Sequence, residues 1–456
     1  MANLKITCLG GGSLYFCRAL GDLVLEDDLT GAEIVLYDID PEKAARMAAM
    51  GRRLASAAGR AVVVRAATGL EDAADGAAFA LSSLGGSGAE ITPTVYGSFY
   101  HSVDMHIPAR YGVHQVIGDT CGPAGMMMAL RAIPAYLAIC RELERRAPRV
   151  VLLNHSNPMA PLCRAMNRYT GVNAIGICHG VQATVRRAAE LLGVPPVTLQ
   201  CSWIGTNHYY WLTEVWQNGV DRQADLLARI RAQVGAGNAS VQLLLSDLYG
   251  YCVGYPGASH LLEFYPFLAQ AGSQDELPYD MAREARQFGF DERVPMPAGP
   301  TDTPADRAAF MARFQQLLDG TQLPAPDRQD WTAAEGIGGL IAAIACGRRE
   351  VYVVNIPNRG LVPNLPPEAL LEVEAVTDAN GVKGIQPGPC PPVLKGILEK
   401  RVAWQELVAT AGVTGDRALA RQALVLDEMA VRPELAGPML EELLAASRPL
   451  LPQFFD

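Results

Sequence analysis

The sequence lacks paired cysteines: its ten are scattered from Cys8 to Cys390, and none forms a C-x-x-C pair. Most lie inside apolar segments, which speaks against a disulfide framework and for a reduced compartment. Basic residues are short as well. Lys and Arg number 38 against 48 Asp and Glu, the net charge is −10, and no basic stripe is present to meet nucleic-acid phosphates. Charged or polar residues interrupt every long apolar run, so no membrane span is expected. The first residues, Met1-Ala2-Asn3-Leu4-Lys5-Ile6, enter a strand with no basic-then-apolar leader, and the expected location is cytoplasmic. Internal repeats and low-complexity tracts are also missing. What remains is 456 residues, half of them hydrophobic and 19% charged, the composition of a soluble enzyme with two lobes.

The first lobe alternates strands with helices. Strand Lys5–Leu9 leads into a helix from Ser13 to about Leu25, then strand Glu33–Tyr37, helix Glu42–Ala58 and strand Ala61–Arg65. An acidic turn at Glu71–Asp75 and strand Ala78–Leu84 follow, then helix Met126–Arg146, strand Val150–Asn154, helix Met159–Arg168 and strand Ala174–Ile177. Such alternation implies α/β architecture: a Rossmann-like, doubly wound parallel sheet over residues 1–200. Residues 201–456 read as a mixed α+β domain. Strands Ser202–Gly205 and Tyr209–Val215 come first, with a hairpin-type turn at Gln217-Asn218-Gly219. A helical stretch over 221–245, strands Val351–Asn355 and Leu370–Thr377, and a helical end from Pro392 follow. Residues 270–330 are rich in Pro, Asp and Gln and suggest loops.

Leu9-Gly10-Gly11-Gly12-Ser13 ends the first strand. Gly10 and Gly12 match the first two glycines of G-x-G-x-x-G, which let a pyrophosphate approach backbone N–H groups at a helix start. Tyr15 occupies the third glycine position. Asp38 ends the second strand, where a carboxylate meets the ribose hydroxyls of NAD. A glycine-rich turn with no ligand is the competing reading. Cys178 and His208 each follow a strand, and a thiolate with an imidazole suits a divalent metal whose shell substrate hydroxyls complete. Each also has a bland reading, as a buried cysteine and a hydrogen-bonded histidine. Asn154 and Asn157-Pro158 follow another strand, where amides orient sugar hydroxyls or simply form a turn. Asp119 lies among glycines ahead of a long helix, as a reactive carboxylate or a helix-starting acid.

These blocks resemble glycoside hydrolase family 4, the NAD- and metal-dependent glycosidases. The resemblance runs nearly end to end. It covers the glycine turn with Ser13, Gly118-Asp119-Thr120, Leu153-Asn154-His155-Ser156-Asn157-Pro158-Met159 and Cys178-His179-Gly180-Val181-Gln182. It continues through Gly205-Thr206-Asn207-His208 and Val354-Asn355-Ile356-Pro357-Asn358-Arg359-Gly360-Leu361. It implies an elimination: NAD+ takes hydride from C3, a base removes the acidified C2 proton, the glycosidic oxygen leaves C1, water adds and C3 is reduced again. A divalent metal, Mn2+ in most relatives, stabilises the intermediate charge. By the same resemblance Cys178 and His208 hold the metal, Asn157 holds substrate hydroxyls, and Asp119 is the acid for the leaving group. Homodimers or homotetramers are implied, with residues 201–456 carrying metal, substrate and oligomer contacts.

The base is where the chain departs from the family. Ala258 stands where an Asp would align in Gly254-Tyr255-Pro256-Gly257-Ala258-Ser259-His260, so Tyr255 and His260 are the candidates. His179, after the metal cysteine, points to an unphosphorylated, α-linked substrate, since relatives acting on 6-phosphosugars carry Asp or Asn there. The blocks resemble the α-galactosidase and α-glucosidase branches. Uronides are the alternative, with Arg110 and His114 as carboxylate partners. Two rivals of other classes are a lactate/malate-type dehydrogenase and a non-catalytic NAD- or sugar-binding protein.

Overall fold

A computed structural model describes residues 4–85, 99–115, 117–237, 240–254, 258–265, 312, 315–322 and 336–455. Six parallel strands form its centre: β1 (Lys5–Leu9), β2 (Glu33–Tyr37), β3 (Val63–Ala66), β4 (Phe79–Ser82), β5 (Val151–Asn154) and β6 (Asn173–Gly176). They lie in the order β3-β2-β1-β4-β5-β6, the doubly wound arrangement of dinucleotide-binding folds. The central strands are apolar on both faces, as burial under helices on each side requires; Ile6, Cys8, Ala80, Leu81, Leu152 and Leu153 are all fully buried. Chain order reverses between β1 and β4. Ligands of such sheets collect at that reversal, beyond the C-terminal strand ends.

The expected alternation is present, with shifted ends and two differences. The acidic stretch read as a turn contains a short helix, Leu70–Ala74. The helical stretch over 221–245 is two helices, Gln223–Gly235 and Val241–Tyr249, and Gly237 turns left-handed between them at φ +77°. The Asn218-Gly219 turn is where the pattern places it, with both residues at positive φ, as a two-residue hairpin loop needs.

Two further sets of strands follow. β7 (Leu199–Thr206), β8 (Tyr209–Gln217), β9 (Val220–Asp221) and β10 (Cys252–Val253) form a separate antiparallel sheet. β11 (Val351–Pro357), β12 (Leu370–Asp378) and β13 (Gly381–Gly384) extend the main sheet instead, joined antiparallel to β6 where Asn355 faces Gly176. Among the described residues the main sheet therefore has nine strands, three of them from beyond residue 201.

Helix Gly122–Arg146 corrects the reading of apolar runs. By length and hydropathy it suffices to cross a bilayer, yet 78% of its most apolar window is buried inside the fold. Its buried Arg131 pairs with buried Asp104, Nη1 to Oδ1 at 2.9 Å. Helices Pro392–Thr414, Arg417–Leu426 and Pro433–Ala446 supply Trp404, Val408, Ala423, Met439 and Leu443 to the same core.

Candidate functional site

Where β1 ends, Gly10 is left-handed at φ +74°, and a Cβ there would lie 2.3 Å from the Ser83 carbonyl oxygen. Only glycine fits. A Cβ on Gly12 would come within 2.5 Å of the Lys43 Cβ. The turn is closed by Gly12 N–H donating to Asp38 Oδ2 at 2.9 Å and by Ser13 N–H donating to the Gly10 carbonyl at 2.8 Å. Ser13 Oγ also meets Ser83 Oγ at 3.2 Å, across the reversal point between β1 and β4. Gly10, Gly12, Ser13 and Asp38 thus share one turn at the start of helix Tyr15–Leu25, whose N-cap residue supplies no side-chain cap. A glycine turn packed this closely, at the start of a helix with no side-chain cap, fits the place where a pyrophosphate is held. Tyr15 packs its ring on His155, centroids 4.0 Å apart.

A second group gathers from four distant segments. Asp119, His208 and His260 each offer a donor atom, all within 4.8 Å of one another. Asn157 Nδ2 donates to Asp119 Oδ2 at 2.9 Å, and Thr120 Oγ1 lies 2.6 Å from Asp119 Oδ1 and 2.9 Å from His208 Nδ1. His260 Nε2 is 3.3 Å from Asp119 Oδ1, and its ring meets that of His208 edge-on at 4.6 Å. Two imidazoles and a carboxylate suit a divalent cation. Buried Asn157 Oδ1 makes no hydrogen bond within the protein, which leaves capacity for a ligand.

Charge follows from this packing. Burial drives the His208 imidazole down to about 3, with His260 adding to the effect, so it is neutral. Burial alone would raise the Asp119 carboxyl, but His260 and Thr120 outweigh it and hold that group well below the usual carboxylate range. Burial would lower His260; the Asp119 charge outweighs it and raises that imidazole. A carboxyl so held is an anion at neutral pH, whereas a leaving-group acid needs a proton.

Local structure explains the convergence. His208 sits at φ +63° in the two-residue turn between β7 and β8, a conformation uncommon outside glycine and recurrent at functional sites. His260 and Glu263 are three residues apart on helix Ala258–Phe264, hence on one side of it. Glu263 Oε1 accepts from the N–H groups of Ile117 and Gly118, both at 2.8 Å, and so docks the helix against the Asp119 loop. On the other side of that loop, Asp427 Oδ2 accepts from Gly122 N–H at 3.0 Å. Thr120, Glu263 and Asp427 escaped sequence reasoning. Only the Thr120 position, beside Asp119, carried any signal.

Other expected residues are placed differently. Cys178 Sγ accepts from Gly180 N–H at 3.4 Å, at the first turn of helix Gly180–Leu192, and is not part of the three-donor group around His208. Asn154, expected to bind substrate, is fully buried instead. Its Oδ1 accepts from Ser82 Oγ at 3.0 Å and Tyr136 OH at 2.7 Å, and its Nδ2 donates to the Ser156 carbonyl at 3.0 Å. That amide ties β4 to β5. His179 is exposed at the start of its helix, beside buried Glu372, whose carboxyl burial pushes up to about 7. Arg110, a possible uronate partner, pairs at the surface with Glu442. Tyr255 and most of 270–330 lie outside the described residues.

The profile described as family 4 glycosyl hydrolase matches residues 5–194, and that of the family's C-terminal domain matches residues 203–430. The chain belongs to glycosyl hydrolase family 4. This family 4 hydrolase is 27% identical to an α-galactosidase of Bacillus subtilis (strain 168), over 99% of each chain. It is 28% identical to an α-galacturonidase of the same organism, over 94% of this chain and 93% of the relative. A 6-phospho-α-glucosidase from gut microorganisms, solved with NAD and Mn2+, superposes with a TM-score of 0.76 at 22% identity over 99% of each chain. That likeness establishes the fold. Membership of a hydrolase family sets the plain dehydrogenase reading aside.

Proposed function

We propose that this family 4 hydrolase cleaves an unphosphorylated α-linked hexoside, an α-galactoside or α-glucoside, by NAD- and Mn2+-dependent elimination. The observation that carries the reading is the meeting of Asp119, His208 and His260 around Asn157, three residues past the end of β5. When bound, NAD+ supplies a hydride acceptor for the sugar, and a divalent ion supplies a Lewis acid for the charge developing beside it.

The chain's own groups take the remaining parts. Gly10, Gly12 and Ser13 shape the turn on which the pyrophosphate lies at the start of helix Tyr15–Leu25, and Asp38 stands where the ribose hydroxyls fall. His208, with Cys178, holds the metal. Asp119, held by Thr120 and Asn157, lies 3.3 Å from His260 Nε2 and serves as a fixed charge beside it. His260, facing that carboxylate at 3.3 Å, moves the proton, and Asp119 stabilises its charged form. Asn157 Oδ1, buried and without a protein partner, accepts from a sugar hydroxyl. Assembly as a homodimer or homotetramer and a division near residue 200 complete the proposal.

A second reading, an α-galacturonidase, is favoured by the 28% identity to such an enzyme. Engagement of Arg110 with Glu442 removes one expected uronate partner. The test is release of nitrophenol from α- and β-linked galactosides, glucosides, galacturonides and glucuronides, with Mn2+, a thiol reductant and NAD+, then with either cofactor withheld. Release from the α-galactoside or α-glucoside that needs both cofactors is expected. Release without NAD+ would rule out the redox route, release only from galacturonide would select the second reading, and none at all despite NAD binding would favour the non-catalytic one.

A further inference from the structure

We infer that Thr120, backed by Asp119, fixes His208 in the tautomer that carries its proton on Nδ1 and so leaves Nε2 bare as the metal donor. The inference rests on the proposed metal role of His208, and assigns a positioning residue to it.

Thr120 Oγ1 lies 2.6 Å from Asp119 Oδ1 and 2.9 Å from His208 Nδ1, and it has one proton to give. An ionised carboxylate accepts only, so the shorter contact takes the hydroxyl proton. Towards His208 the same oxygen can then only accept, and Nδ1 must carry hydrogen. A neutral imidazole with Nδ1–H has its lone pair on Nε2. The reverse arrangement would set the Thr120 lone pairs against a carboxylate oxygen at 2.6 Å, with nothing between them. Asn157 Nδ2, donating to Asp119 Oδ2, keeps the carboxylate in place, and Thr120 is only 9% exposed, which keeps water from substituting for its hydroxyl. A carboxylate or hydroxyl behind a metal histidine commonly sets its tautomer and its basicity.

The experiment uses the full chain labelled with 15N-histidine. Long-range 1H–15N spectra of the metal-free protein near pH 7.5, with His208 assigned by the signal lost in His208→Gln, are expected to show Nδ1–H and a bare Nε2. Thr120→Val removes the hydroxyl at nearly constant shape. It is expected to lose that tautomer preference and to bind Mn2+, followed by the electron paramagnetic resonance of the free ion, about 10- to 100-fold more weakly. Thr120→Ser is expected to restore both readouts. Nε2–H on His208 in the parent protein would overturn the inference, as would Thr120→Val with parental tautomer and Mn2+ affinity. A bare Nε2 in a parent protein that takes up no Mn2+ would support the tautomer assignment and overturn the metal reading, so the two failures are distinct.

Discussion

The glycine turn and the polar cluster serve one proposed reaction and are built on opposite principles. The turn is shaped by what is missing: three consecutive glycines where Cβ atoms would strike Ser83, Leu36 and Lys43, closed by Asp38 at the end of the neighbouring strand. The cluster is shaped by what is brought in. Asp119, Asn157, His208 and His260 come from four segments and are held by bonds from Thr120 and, through Glu263, from a docked helix. Steric exclusion is local and leaves a mark in a short stretch of sequence. Convergence is long-range and leaves almost none.

Substitution can separate the two. His208→Ala should have the largest effect, lowering kcat/KM about a thousandfold through loss of the metal, while NAD binding measured by fluorescence titration stays near parental. Parallel loss of NAD binding would show that the cluster and the turn are one unit. Gly10→Ala reverses the pattern. It adds a Cβ at 2.3 Å from a carbonyl oxygen at positive φ, strain worth about 3 kcal/mol, so NAD should bind about a hundredfold more weakly with Mn2+ affinity preserved. Unchanged NAD affinity would remove the turn from the cofactor site.

Glu263→Ala tests whether docking of the helix positions His260. Two N–H groups lose their acceptor, a cost of about 1–3 kcal/mol, and kcat/KM should fall about tenfold as Tm drops by a few degrees. A fall in Tm with parental kcat/KM would leave Glu263 a purely structural role.

The smallest effect concerns pH. His101 Nε2 meets the Ile117 carbonyl at 2.8 Å under the Asp119 loop, and burial lowers its imidazole from 6.5 to about 4. Between those values the unfolded chain binds the extra proton and the folded chain does not. The contribution of neutral His101 is therefore complete above about pH 6.5 and is lost as pH falls towards 4. From pH 7 to pH 6 this amounts to less than about 1 kcal/mol. His101→Gln should flatten the fall in Tm over that interval, and an unaltered slope would show that His101 does not contribute to it.

The same contrast governs how much was readable beforehand. The parallel strands were legible because strands buried on both faces must be continuously apolar, and the Asn218-Gly219 turn because it needs positive φ twice. The glycine turn was legible for the reason already given. Asn154 misled, because an amide following a strand looks the same whether it faces a sugar or bridges two strands; its bonds to Ser82 and Tyr136 decide the matter. Arg131 is one of the charged residues that interrupt the long apolar runs. A charged residue interrupts an apolar pattern in sequence, and only its partner Asp104, from another helix, explains how it is buried. The place of β11–β13 could not be read either, since an antiparallel strand carries no mark of which sheet it extends.

By itself the sequence determined the alternating α/β order, the glycine turn with Asp38 and the individual identities of Asp119, Asn157, His208 and His260, because each depends on local pattern or residue chemistry. Tertiary structure alone decided that those four side chains meet, that Thr120 stands between Asp119 and His208, and that Asn154 and Arg131 turn inward. Distances, burial and the choice of proton partner arise only when segments far apart in the chain are packed together.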